Sequence, residues 1–524
     1  MAEKFKITYT TMSVDDVELH QAFDEAVERV KQMKGRTFPM LINGREVEAE
    51  ETFAVINPAD TRETLVYFQK GTAEHAREAI AAAKAAFPAW SATPYEERCQ
   101  LVERVADMIT DNLMDLSAMM IMEMGKNRVE AMGDVQESAD LLRYYAFQMR
   151  ENKGFVREMN SFGETDVNIS VLKPYGVWAV ISPFNFPLAL AAGPVAAALV
   201  TGNTVVLKPS SDAPWTAYEL VRYFMEAGLP EGAINFVTGS GRTVGNELVV
   251  NKDVDGITFT GSYDVGFHQV YRNFATEYPK PVVVEMGGKN PTIVSKKANL
   301  DNAALGVVRS AFGMGGQKCS ACSRVYVEAE VYDEFLGKLL AKTEEIVKIG
   351  NPLDKHTFLG PLVNENAYND YKRFMEKARQ DGEVLYGGNV CTDGDFQYGY
   401  FVEPAIITGL PHDHELVQQE LFVPILFVKK VDSLEQAMKE ANDVQYGLTA
   451  GFFSEDEDEI QWFLDNIQAG TIYVNRKAGA TTGAWPGFQP FGGWKSSGSS
   501  GRNIGGYWTL LNYMREQSQT VIRE

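Results

Sequence analysis

Short apolar runs that alternate with helical segments restrict the fold of this chain more than any other feature of its sequence. Between residues 176 and 285 the helical segments include 214–227, and the apolar runs are GVWAVIS, TVVLK, AINFVTG, GITFTG and PVVVE. Uninterrupted apolar runs are typical of strands in a parallel sheet, because crossover helices cover both of its faces. The alternation therefore predicts a doubly wound α/β sheet.

A second set of apolar runs follows, between residues 291 and 475: PTIVS, RVYVE, AIITG, PILFVKKV, AGFFS and TIYVN. A domain takes about 150 residues, so 524 residues suggest about three domains, or two large ones with an appendage. The two sets predict two α/β domains with a boundary near Glu285.

The region before residue 175 has a different pattern. Residues up to about 70 are predicted to form short strands and turns, with a hairpin at 41–48 around Asn43-Gly44. Residues 155–173 alternate as a hairpin with one exposed face would. Helical periodicity covers residues 76–87, 95–124 and 129–149.

Charge argues against several classes of partner. The chain has 49 basic and 71 acidic side chains, and its net charge of −22 would repel nucleic acids and anionic membranes. Residues 174–207 are uncharged and long enough to cross a bilayer, but the prolines and asparagines among them favour a buried strand, helix and strand. We therefore expect neither a nucleic-acid nor a membrane partner.

The cysteines and the first residues bear on the compartment. Cys99, Cys319, Cys322 and Cys391 are too few and too scattered for a disulfide framework, which favours a reducing, cytoplasmic environment. Residues 1–13 have no apolar core, so no signal peptide is predicted there.

Polar groups at the carboxyl ends of the predicted strands are candidates for a site, because open α/β sheets bind ligands at that edge. Lys208 could hold a ribose or a phosphate, or could be an ordinary solvent-facing lysine. Glu285 could be a general base if desolvated, although an isolated glutamate at a strand end is more often a surface acid. Glycine-rich turns at 239–245 and 261–266 could present N–H groups to phosphate, but neither has the G-x-G-x-x-G spacing.

The segment GGQKCSACSR leaves several interpretations open. Cys319 and Cys322 could be a redox pair, half of a zinc site, one nucleophilic thiolate beside an incidental cysteine, or two buried thiols. The zinc site lacks a second ligand pair, and the residues favour the last two interpretations. The stretch 412–415 (HDHE) has no matching ligands elsewhere, so no metal site is predicted.

Seven motifs, in this order, resemble the aldehyde dehydrogenase superfamily over essentially the whole chain: SPFNFP, GNTVVLKPS, FTGSYDVG, EMGGKN, GQKCSACSR, ELFVP and PFGGWKSSG. The resemblance implies that superfamily's α/β fold and a homo-oligomer. Its parts would be a Rossmann-type NAD(P)-binding domain (1–151 and 175–285), an α/β catalytic domain (286–500) and a bridging oligomerisation hairpin (152–174 and 501–524).

The resemblance also implies a mechanism. Cys319 corresponds to the nucleophile, Asn185 to the side chain of the oxyanion hole, and Glu285 to the base that hydrolyses the thioester. Cys322 has no catalytic counterpart. The presence of Glu285 disfavours a coenzyme A-acylating enzyme, and the presence of all three residues disfavours an inactive binding protein.

By the same resemblance the cofactor is NAD, with NADP as the alternative. Many members carry a glutamate that binds the ribose hydroxyls where this chain has Ser211, and its loss removes a repulsion against the 2′-phosphate of NADP. Val423 stands where glycine is usual. The implied cofactor contacts are Lys208 at the adenosine ribose, Gly261, Ser262 and Gly266 at the pyrophosphate, and Glu420 and Phe422 at the nicotinamide ribose.

Within the superfamily, the resemblance is to the branch that oxidises L-glutamate γ-semialdehyde (1-pyrroline-5-carboxylate) to L-glutamate in proline and arginine degradation. It would imply a small-molecule substrate and functional coupling to a proline dehydrogenase. The alternatives are dehydrogenases for 2-oxoglutarate or succinate semialdehyde.

Three features support this branch: Ser320 after the nucleophile, Glu137, and the loop TGAWPGFQPFGG at 482–493. In the loop, Gly483 and Ala484 would hold the α-carboxylate of the substrate. Phe488 and Phe186 would be opposite walls of an aliphatic tunnel. Residues 478–480 and Trp485-Pro486 depart from the branch's usual loop, which leaves the shape of the pocket open.

Overall fold

The computed structural model of the chain describes residues 16–523. The prediction about residues 1–13, and the outermost residues of the predicted cofactor and bridging segments, lie outside the described residues. No helix within residues 16–523 combines the length and the apolar character needed to traverse a bilayer.

Helices make up most of the region before the first large sheet and cover both large sheets. Their bounds are Val17–Lys31, Ala73–Ala92, Tyr95–Asp111, Leu113–Met124, Arg128–Glu151, Ala189–Val200, Trp215–Glu226, Asn246–Val250, Arg272–Phe274, Leu300–Phe312, Tyr332–Ile346, Glu365–Asp381, Glu415–Gln418, Leu434–Asn442 and Glu457–Asn466.

The first large sheet has the strand order of a dinucleotide-binding fold. Its strands, from edge to edge, are Val282–Glu285, Gly256–Thr260, Val177–Ile181, Thr204–Lys208, Ile234–Phe236, Met40–Ile42 and Arg45–Val47. The first five run parallel, which confirms the doubly wound sheet predicted from the apolar runs. The order of the chain reverses between Val177–Ile181 and Gly256–Thr260, and open sheets bind ligands at such a reversal.

The uncharged segment 174–207 folds as predicted, with strand Val177–Ile181, helix Ala189–Val200 and strand Thr204–Lys208 in sequence. Trp178 and all the side chains between Ala191 and Val200 are buried. The segment is apolar because it lies in the core between the sheet and the helices that cover it.

The second large sheet contains all six strands predicted after residue 285. From edge to edge its strands are Glu383–Gly387, Ala405–Thr408, Ile425–Val431, Cys322–Glu328, Asn290–Val294, Thr449–Phe453 and Thr471–Val474. Only the edge strand Glu383–Gly387 is antiparallel to its neighbour.

An exposed three-stranded sheet projects from these layers. The predicted hairpin at 155–173 is present as strands Val156–Glu158 and Asp166–Pro174, and Met514–Ile522 pairs with Asp166–Pro174 along its whole length. Smaller sheets join Thr37–Phe38, Thr64–Gln69 and Thr52–Ile56, and Tyr446–Gly447 with Trp494–Lys495.

Two sequence-based expectations were wrong in the region before residue 150. The first 70 residues contain the helix Val17–Lys31, capped by the Asp16 carboxylate, and not only strands and turns. Its buried face consists of Leu19, Phe23, Val27 and Val30, a helical spacing that the sequence carries. The pattern at 95–124 forms two helices, because the chain turns at Asn112.

Candidate active site

The candidate site lies where the carboxyl edge of the first large sheet meets the amino edge of the second. Glu285 is the last residue of a strand in the first sheet, and Asn290 begins a strand in the second. Cys319 lies three residues before the start of the neighbouring strand, Cys322–Glu328. Asn185 follows the strand Val177–Ile181, at the reversal of strand order. The fold therefore brings these chain segments to one region.

Cys319 lies in a tight turn that a second segment supports. The Asn290 side chain donates to the Cys319 carbonyl at 2.7 Å and to the Ala321 carbonyl at 2.9 Å. A Cβ atom at Gly288 would lie 2.5 Å from the Cys319 carbonyl oxygen, so glycine is required there for the two segments to pack. The turn that holds the thiol is thus built by the EMGGKN motif.

The electrostatic environment of the Cys319 thiol opposes its ionisation in the structure as it stands. Burial raises the pKa of the thiol to about 12, and the Glu420 and Glu285 carboxylates add to the increase. The backbone N–H groups of Ser320 and Cys319 act in the opposite direction. These two donors are suited to stabilise negative charge that develops at the thiol or next to it.

Glu285 is a buried acid with an unused oxygen. Only 6% of the residue is exposed, and its Oε2 atom has no hydrogen-bond partner among residues 16–523. Burial raises the pKa of the Glu285 carboxyl to about 8, and the Gly493 N–H offsets this only in part. A carboxyl with such a pKa can act as a general base near neutral pH.

Glu420 is a second buried acid, and it contacts the EMGGKN turn. Its Oε1 atom accepts a hydrogen bond of 2.8 Å from the Gly288 N–H. Burial raises the pKa of the Glu420 carboxyl to about 7, while the Gly288 N–H and Lys289 lower it. Because Glu420 also acts on the Cys319 thiol, the structure brings this predicted cofactor contact close to the nucleophile.

The turn that carries Asn185 is held by a buried ion pair. Lys126 and Asp134 are 2.6 Å apart and neither side chain is exposed. The Lys126 ammonium lies 3.9 Å from the centroid of the Phe186 ring, and the Ala189 N–H donates to Asp134 at 2.8 Å. Asn185, which is buried, directly precedes the first of these two attachments in the chain.

The helix Arg128–Glu151 supports the site along one face. Glu130 binds the ammonium of Lys318, the residue before the nucleophile, at 2.6 Å. Asp134 follows one turn later and Glu137 after that, so the predicted substrate contact Glu137 lies on the same side of the helix.

Cys322 does not face Cys319. It is buried at the start of a strand, and its Sγ atom lies 3.2 Å from the Thr292 hydroxyl on the neighbouring strand. All four cysteines are free thiols. Cys322 is thus a buried cysteine within the second sheet, in accord with one of the interpretations left open by its spacing.

Lys208 is an internal cation at the carboxyl edge of the first sheet. It is buried, and its ammonium donates to the Pro209 carbonyl at 3.0 Å. Burial lowers the pKa of Lys208 to about 8, and Asp212 partly opposes the decrease. Ser211 is exposed and its hydroxyl lies 3.5 Å from the Gly239 carbonyl. A buried ammonium with donors left over fits a hydroxyl-rich or anionic ligand.

The turn 261–266 leads from a strand into a helix of π geometry, Asp264–Tyr271. The Ser262 side chain is exposed and its hydroxyl accepts from the Val265 N–H at 3.4 Å. A Cβ atom at Gly266 would lie 2.7 Å from Met286 Cγ, and one at Gly261 would lie 2.5 Å from the Phe259 ring. These glycines allow close packing, and the exposed start of the helix is free to face an anion.

Phe422 and Val423 continue the segment that contains Glu420. Phe422 has a left-handed backbone (φ 59°), and its ring meets Phe184 edge-on at 5.8 Å. Val423 is buried in an apolar cluster with Leu421 and Phe427, which explains how a valine is accommodated where glycine is usual.

Arg476 holds the loop that the sequence analysis assigned to the substrate. Its guanidinium donates to the Thr482 carbonyl at 3.0 Å and to the Gly483 carbonyl at 3.3 Å. Gly483 has a φ of 115°, and a Cβ atom there would lie 2.1 Å from Arg476 Nη2. With these carbonyls bound, the loop can turn backbone N–H groups of Gly483 and Ala484 away from Arg476.

The same loop is anchored behind the nucleophile. The Thr481 hydroxyl donates to the Ser320 carbonyl at 2.6 Å, and the Thr481 N–H donates to the Ser310 hydroxyl at 2.8 Å. Ser320 is buried, so the residue after the nucleophile and the start of the loop form one packed unit.

Phe488 does not line an enclosed tunnel in this chain, contrary to the expectation. It is 88% exposed, at the tip of a turn closed by its N–H to the Trp485 carbonyl. The Trp485 indole donates to Asp140 at 3.0 Å, which draws the inner part of the loop onto the helix Arg128–Glu151 and turns Phe488 outward. Phe186 is partly buried under Lys126.

No metal centre is formed by the histidine and acid side chains of residues 16–523. His412 lies 3.2 Å from Asp443, and His414 lies 3.1 Å from Asp381.

Sequence reasoning missed Lys126, Asp134, Tyr473 and Arg476. Arg476 directly follows a predicted strand, a position that would have made it a candidate. Lys126 lies between two regions of helical periodicity and Asp134 lies eight residues later in the second, and no local signal indicates that both are buried.

The chain matches the model of the aldehyde dehydrogenase family over residues 45–519. The chain belongs to the aldehyde dehydrogenase family. Membership of this family accounts for both the order of the sequence motifs and the strand order of the first large sheet.

This aldehyde dehydrogenase is similar in sequence and in structure to individual known proteins over nearly its whole length. It is 37% identical to a 1-pyrroline-5-carboxylate dehydrogenase of Geobacillus sp. (strain WCH70) over 506 residues, 96% of each chain. The structure of a Thermus 1-pyrroline-5-carboxylate dehydrogenase with bound NAD is 33% identical, with a TM-score of 0.92 over 98% of both chains.

A third similar structure is that of a longer protein. Proline utilization A of Bdellovibrio bacteriovorus is 37% identical to the aldehyde dehydrogenase described here, with a TM-score of 0.91 over 96% of it. The present chain spans about half of that protein, 52% of its length.

Proposed function

We propose that this chain oxidises L-glutamate γ-semialdehyde, the open form of 1-pyrroline-5-carboxylate, to L-glutamate with NAD as the cofactor. The main support is the arrangement around Cys319, where a thiol, two buried acids and a loop tied back by Arg476 belong to one site. The similarity to proteins named 1-pyrroline-5-carboxylate dehydrogenase points to the same substrate.

Cys319 is the proposed nucleophile. Its thiol releases its proton to solvent water, the resulting thiolate attacks the aldehyde carbon, and the negative charge that develops on the aldehyde oxygen needs donors. The Asn185 side chain and the Cys319 N–H are the proposed donors, and each preorganised donor is worth about 3 kcal/mol in the transition state. The buried ion pair beside Asn185 keeps its turn in place.

Lys208, Gly261, Ser262, Gly266, Glu420 and Phe422 are the proposed cofactor contacts. These residues would hold NAD, whose nicotinamide would supply a hydride acceptor for the carbon attached to Cys319. The fit rests on the buried Lys208 ammonium, the exposed helix start at Ser262 and the Glu420 carboxylate near the nucleophile. Ser211 is exposed and uncharged, so it offers no carboxylate to repel the 2′-phosphate of NADP.

Glu285 is the proposed base for the last step. The thioester on Cys319 is cleaved by water, whose proton passes to Glu285 as the oxygen attacks the acyl carbon. The unpartnered Oε2 atom of Glu285 is suited to accept that proton. Release of L-glutamate returns Cys319 to its starting form.

Selection of the substrate is assigned to the loop and to the helix Arg128–Glu151. Gly483 and Ala484 would bind the α-carboxylate through backbone N–H groups, as anions are commonly bound. The remaining part of the substrate would be bordered by Ser320, Glu137 and Phe186. Phe488 would contribute only from the outer rim, because its side chain is exposed.

The proposal extends to organisation and partners. We infer a cofactor domain (1–151 and 175–285), a catalytic domain (286–500) and a bridging segment (152–174 and 501–524) that pairs between subunits of a homo-oligomer. The exposed apolar residues of the three-stranded sheet support this assembly: Val156, Met159, Phe162, Val521 and Ile522. A reducing cytoplasm and coupling to a proline dehydrogenase belong to the same proposal, and the similarity to a protein named proline utilization A supports a place in the use of proline.

The test is a comparison of substrates with the purified full chain. Pyrroline-5-carboxylate, succinate semialdehyde, 2-oxoglutarate semialdehyde and propanal are supplied in parallel with NAD and then with NADP, and reduced cofactor is followed by absorbance. The highest kcat/KM is expected for pyrroline-5-carboxylate. A higher value for another semialdehyde would overturn the substrate assignment and leave the thiol mechanism in place.

A further inference from the structure

Tyr473 is a buried residue of the site that the mechanism above does not use. It lies on the edge strand Thr471–Val474 and is 6% exposed. Its hydroxyl is fully buried and forms no hydrogen bond of normal geometry with any residue in the described part of the chain. An orphaned buried hydroxyl costs about 1–3 kcal/mol, so its presence calls for a partner that is absent from the free protein.

The groups around the phenol indicate where this partner would be. Burial raises the pKa of Tyr473, and the groups that act on it are Arg476, the Ala484 N–H, Glu137 and the Cys319 thiol. Arg476 also lies 5.6 Å from the centroid of the Tyr473 ring. The phenol is therefore close both to the loop that Arg476 ties back and to the nucleophile.

We propose that the Tyr473 hydroxyl donates a hydrogen bond to the α-carboxylate of the substrate, next to the Ala484 N–H, and so selects aldehydes that carry this group. The assignment rests on the proposed function. It makes Tyr473 a specificity-determining residue, which binds the end of the substrate that does not react.

The chemistry of the two neighbouring groups is consistent with this assignment. A carboxylate accepts several hydrogen bonds, and a backbone N–H and a phenol O–H can share one carboxylate. Glu137 would bind a group of the opposite charge, because its carboxylate would attract the α-ammonium group of an amino acid. An aldehyde without these groups would leave the Tyr473 hydroxyl without a partner, as in the free protein.

The variant Tyr473→Phe separates binding from stability. It removes only the orphaned hydroxyl, so the urea midpoint of the variant is expected to equal or exceed that of the wild type. KM for pyrroline-5-carboxylate is expected to rise about tenfold or more, the loss typical of a hydrogen bond to a charged group. KM for propanal, which has no carboxylate, should remain unchanged.

The control is Tyr371→Phe. The Tyr371 hydroxyl is also buried, but it donates to the Glu403 carbonyl, outside the site. This variant is expected to lose stability and to keep the wild-type ratio of kcat/KM between pyrroline-5-carboxylate and propanal. If the assignment is correct, Tyr473→Phe changes the substrate preference without loss of stability, and Tyr371→Phe lowers stability without a change in substrate preference.

A binding measurement does not depend on turnover. Calorimetry measures the binding of L-glutamate and of 4-aminobutyrate, which lacks the α-carboxylate. L-glutamate should bind more weakly to Tyr473→Phe than to the wild type, and 4-aminobutyrate should bind equally to both. Equal effects on both ligands, or an unchanged KM for pyrroline-5-carboxylate, would overturn the assignment of Tyr473. A wild-type enzyme that oxidises propanal but not pyrroline-5-carboxylate would instead overturn the proposed function.

Discussion

The Lys126 ammonium and the Asp134 carboxylate lie 2.6 Å apart with neither side chain exposed, and together they hold the segment that directly follows Asn185. Lys126 contacts the Phe186 ring, and Asp134 accepts a hydrogen bond from the Ala189 N–H three residues later. The side chain proposed for the oxyanion hole therefore depends on a buried ion pair that belongs to a different part of the chain.

Breaking this pair should be costly. Lys126→Met leaves Asp134 buried without its counter-ion, and such a loss is expected to lower the free energy of unfolding by about 3–5 kcal/mol. Urea denaturation measures the change. The matched control is Lys70→Met, which breaks an exposed pair with Glu51 and should cost less than about 1 kcal/mol. Similar losses in both variants would contradict the importance of burial.

The two cysteines of the C-x-x-C should differ sharply in their effect on activity. Cys319→Ala is expected to abolish aldehyde oxidation while NAD still binds, because the nucleophile is lost and the Lys208 region is untouched. Cys322→Ala should keep most of the activity, since its thiol contacts Thr292 within the second sheet. Reduction of NAD and fluorescence of bound cofactor are the two measurements, and an equal loss of activity in both variants would revive the redox-pair interpretation.

Activity should rise with pH through the ionisation of Glu285. Burial raises the pKa of this carboxyl to about 8, and only the ionised form can accept a proton from water. With hydrolysis rate-limiting, kcat should increase up to about pH 8 and then level off. Glu285→Gln should remove this step in the profile and let an acyl group accumulate on Cys319, visible in the intact mass. Loss of turnover without an adduct would place Glu285 elsewhere in the cycle.

The same ionisation affects stability in the opposite direction. A carboxyl whose pKa is raised by folding binds its proton more tightly in the native state, so ionisation favours the unfolded chain. Between the ordinary glutamate pKa of about 4.3 and the native value near 8, Glu285 should reduce stability as pH rises. Glu285→Gln should therefore unfold at a higher urea concentration than the wild type at pH 8, and with a smaller difference at pH 5.

Cofactor preference should respond to the residue at position 211. Ser211 is exposed beside the Lys208 region, so a carboxylate introduced by Ser211→Glu can reach the adenosine ribose and repel a 2′-phosphate. We expect kcat/KM with NADP to fall at least about tenfold, which corresponds to about 1.4 kcal/mol, with little change for NAD. Ser211→Gln is the neutral control, and an equal effect of both variants would rule out charge as the cause.

Much of the fold could be predicted, because periodicity is a local property. The parallel strands of both large sheets coincide with the predicted apolar runs, and the segment 174–207 forms the predicted strand, helix and strand. The helix Val17–Lys31 was missed although Leu19, Phe23 and Val30 have helical spacing, so that error was one of interpretation. The break at Asn112 has no proline or glycine to announce it.

Parts of the candidate site could not be predicted from local pattern. Phe488 was expected to face a tunnel, but the Trp485–Asp140 hydrogen bond holds the loop so that Phe488 is exposed. Tyr473 looked like any other apolar strand residue, and only its neighbours across the fold reveal an orphaned hydroxyl.

The sequence by itself determined the α/β architecture, the family, and the motifs that contain Cys319, Glu285 and Asn185, because each is written in consecutive or regularly spaced residues. Only the tertiary structure decided which distant groups meet: Lys126 with Phe186, Arg476 with the Gly483 carbonyl, and the Tyr473 phenol with surroundings in which none of residues 16–523 accepts its proton. The physical reason is that burial and pairing depend on how separate elements pack, and packing alone sets whether a charge is neutralised or a hydroxyl is left free.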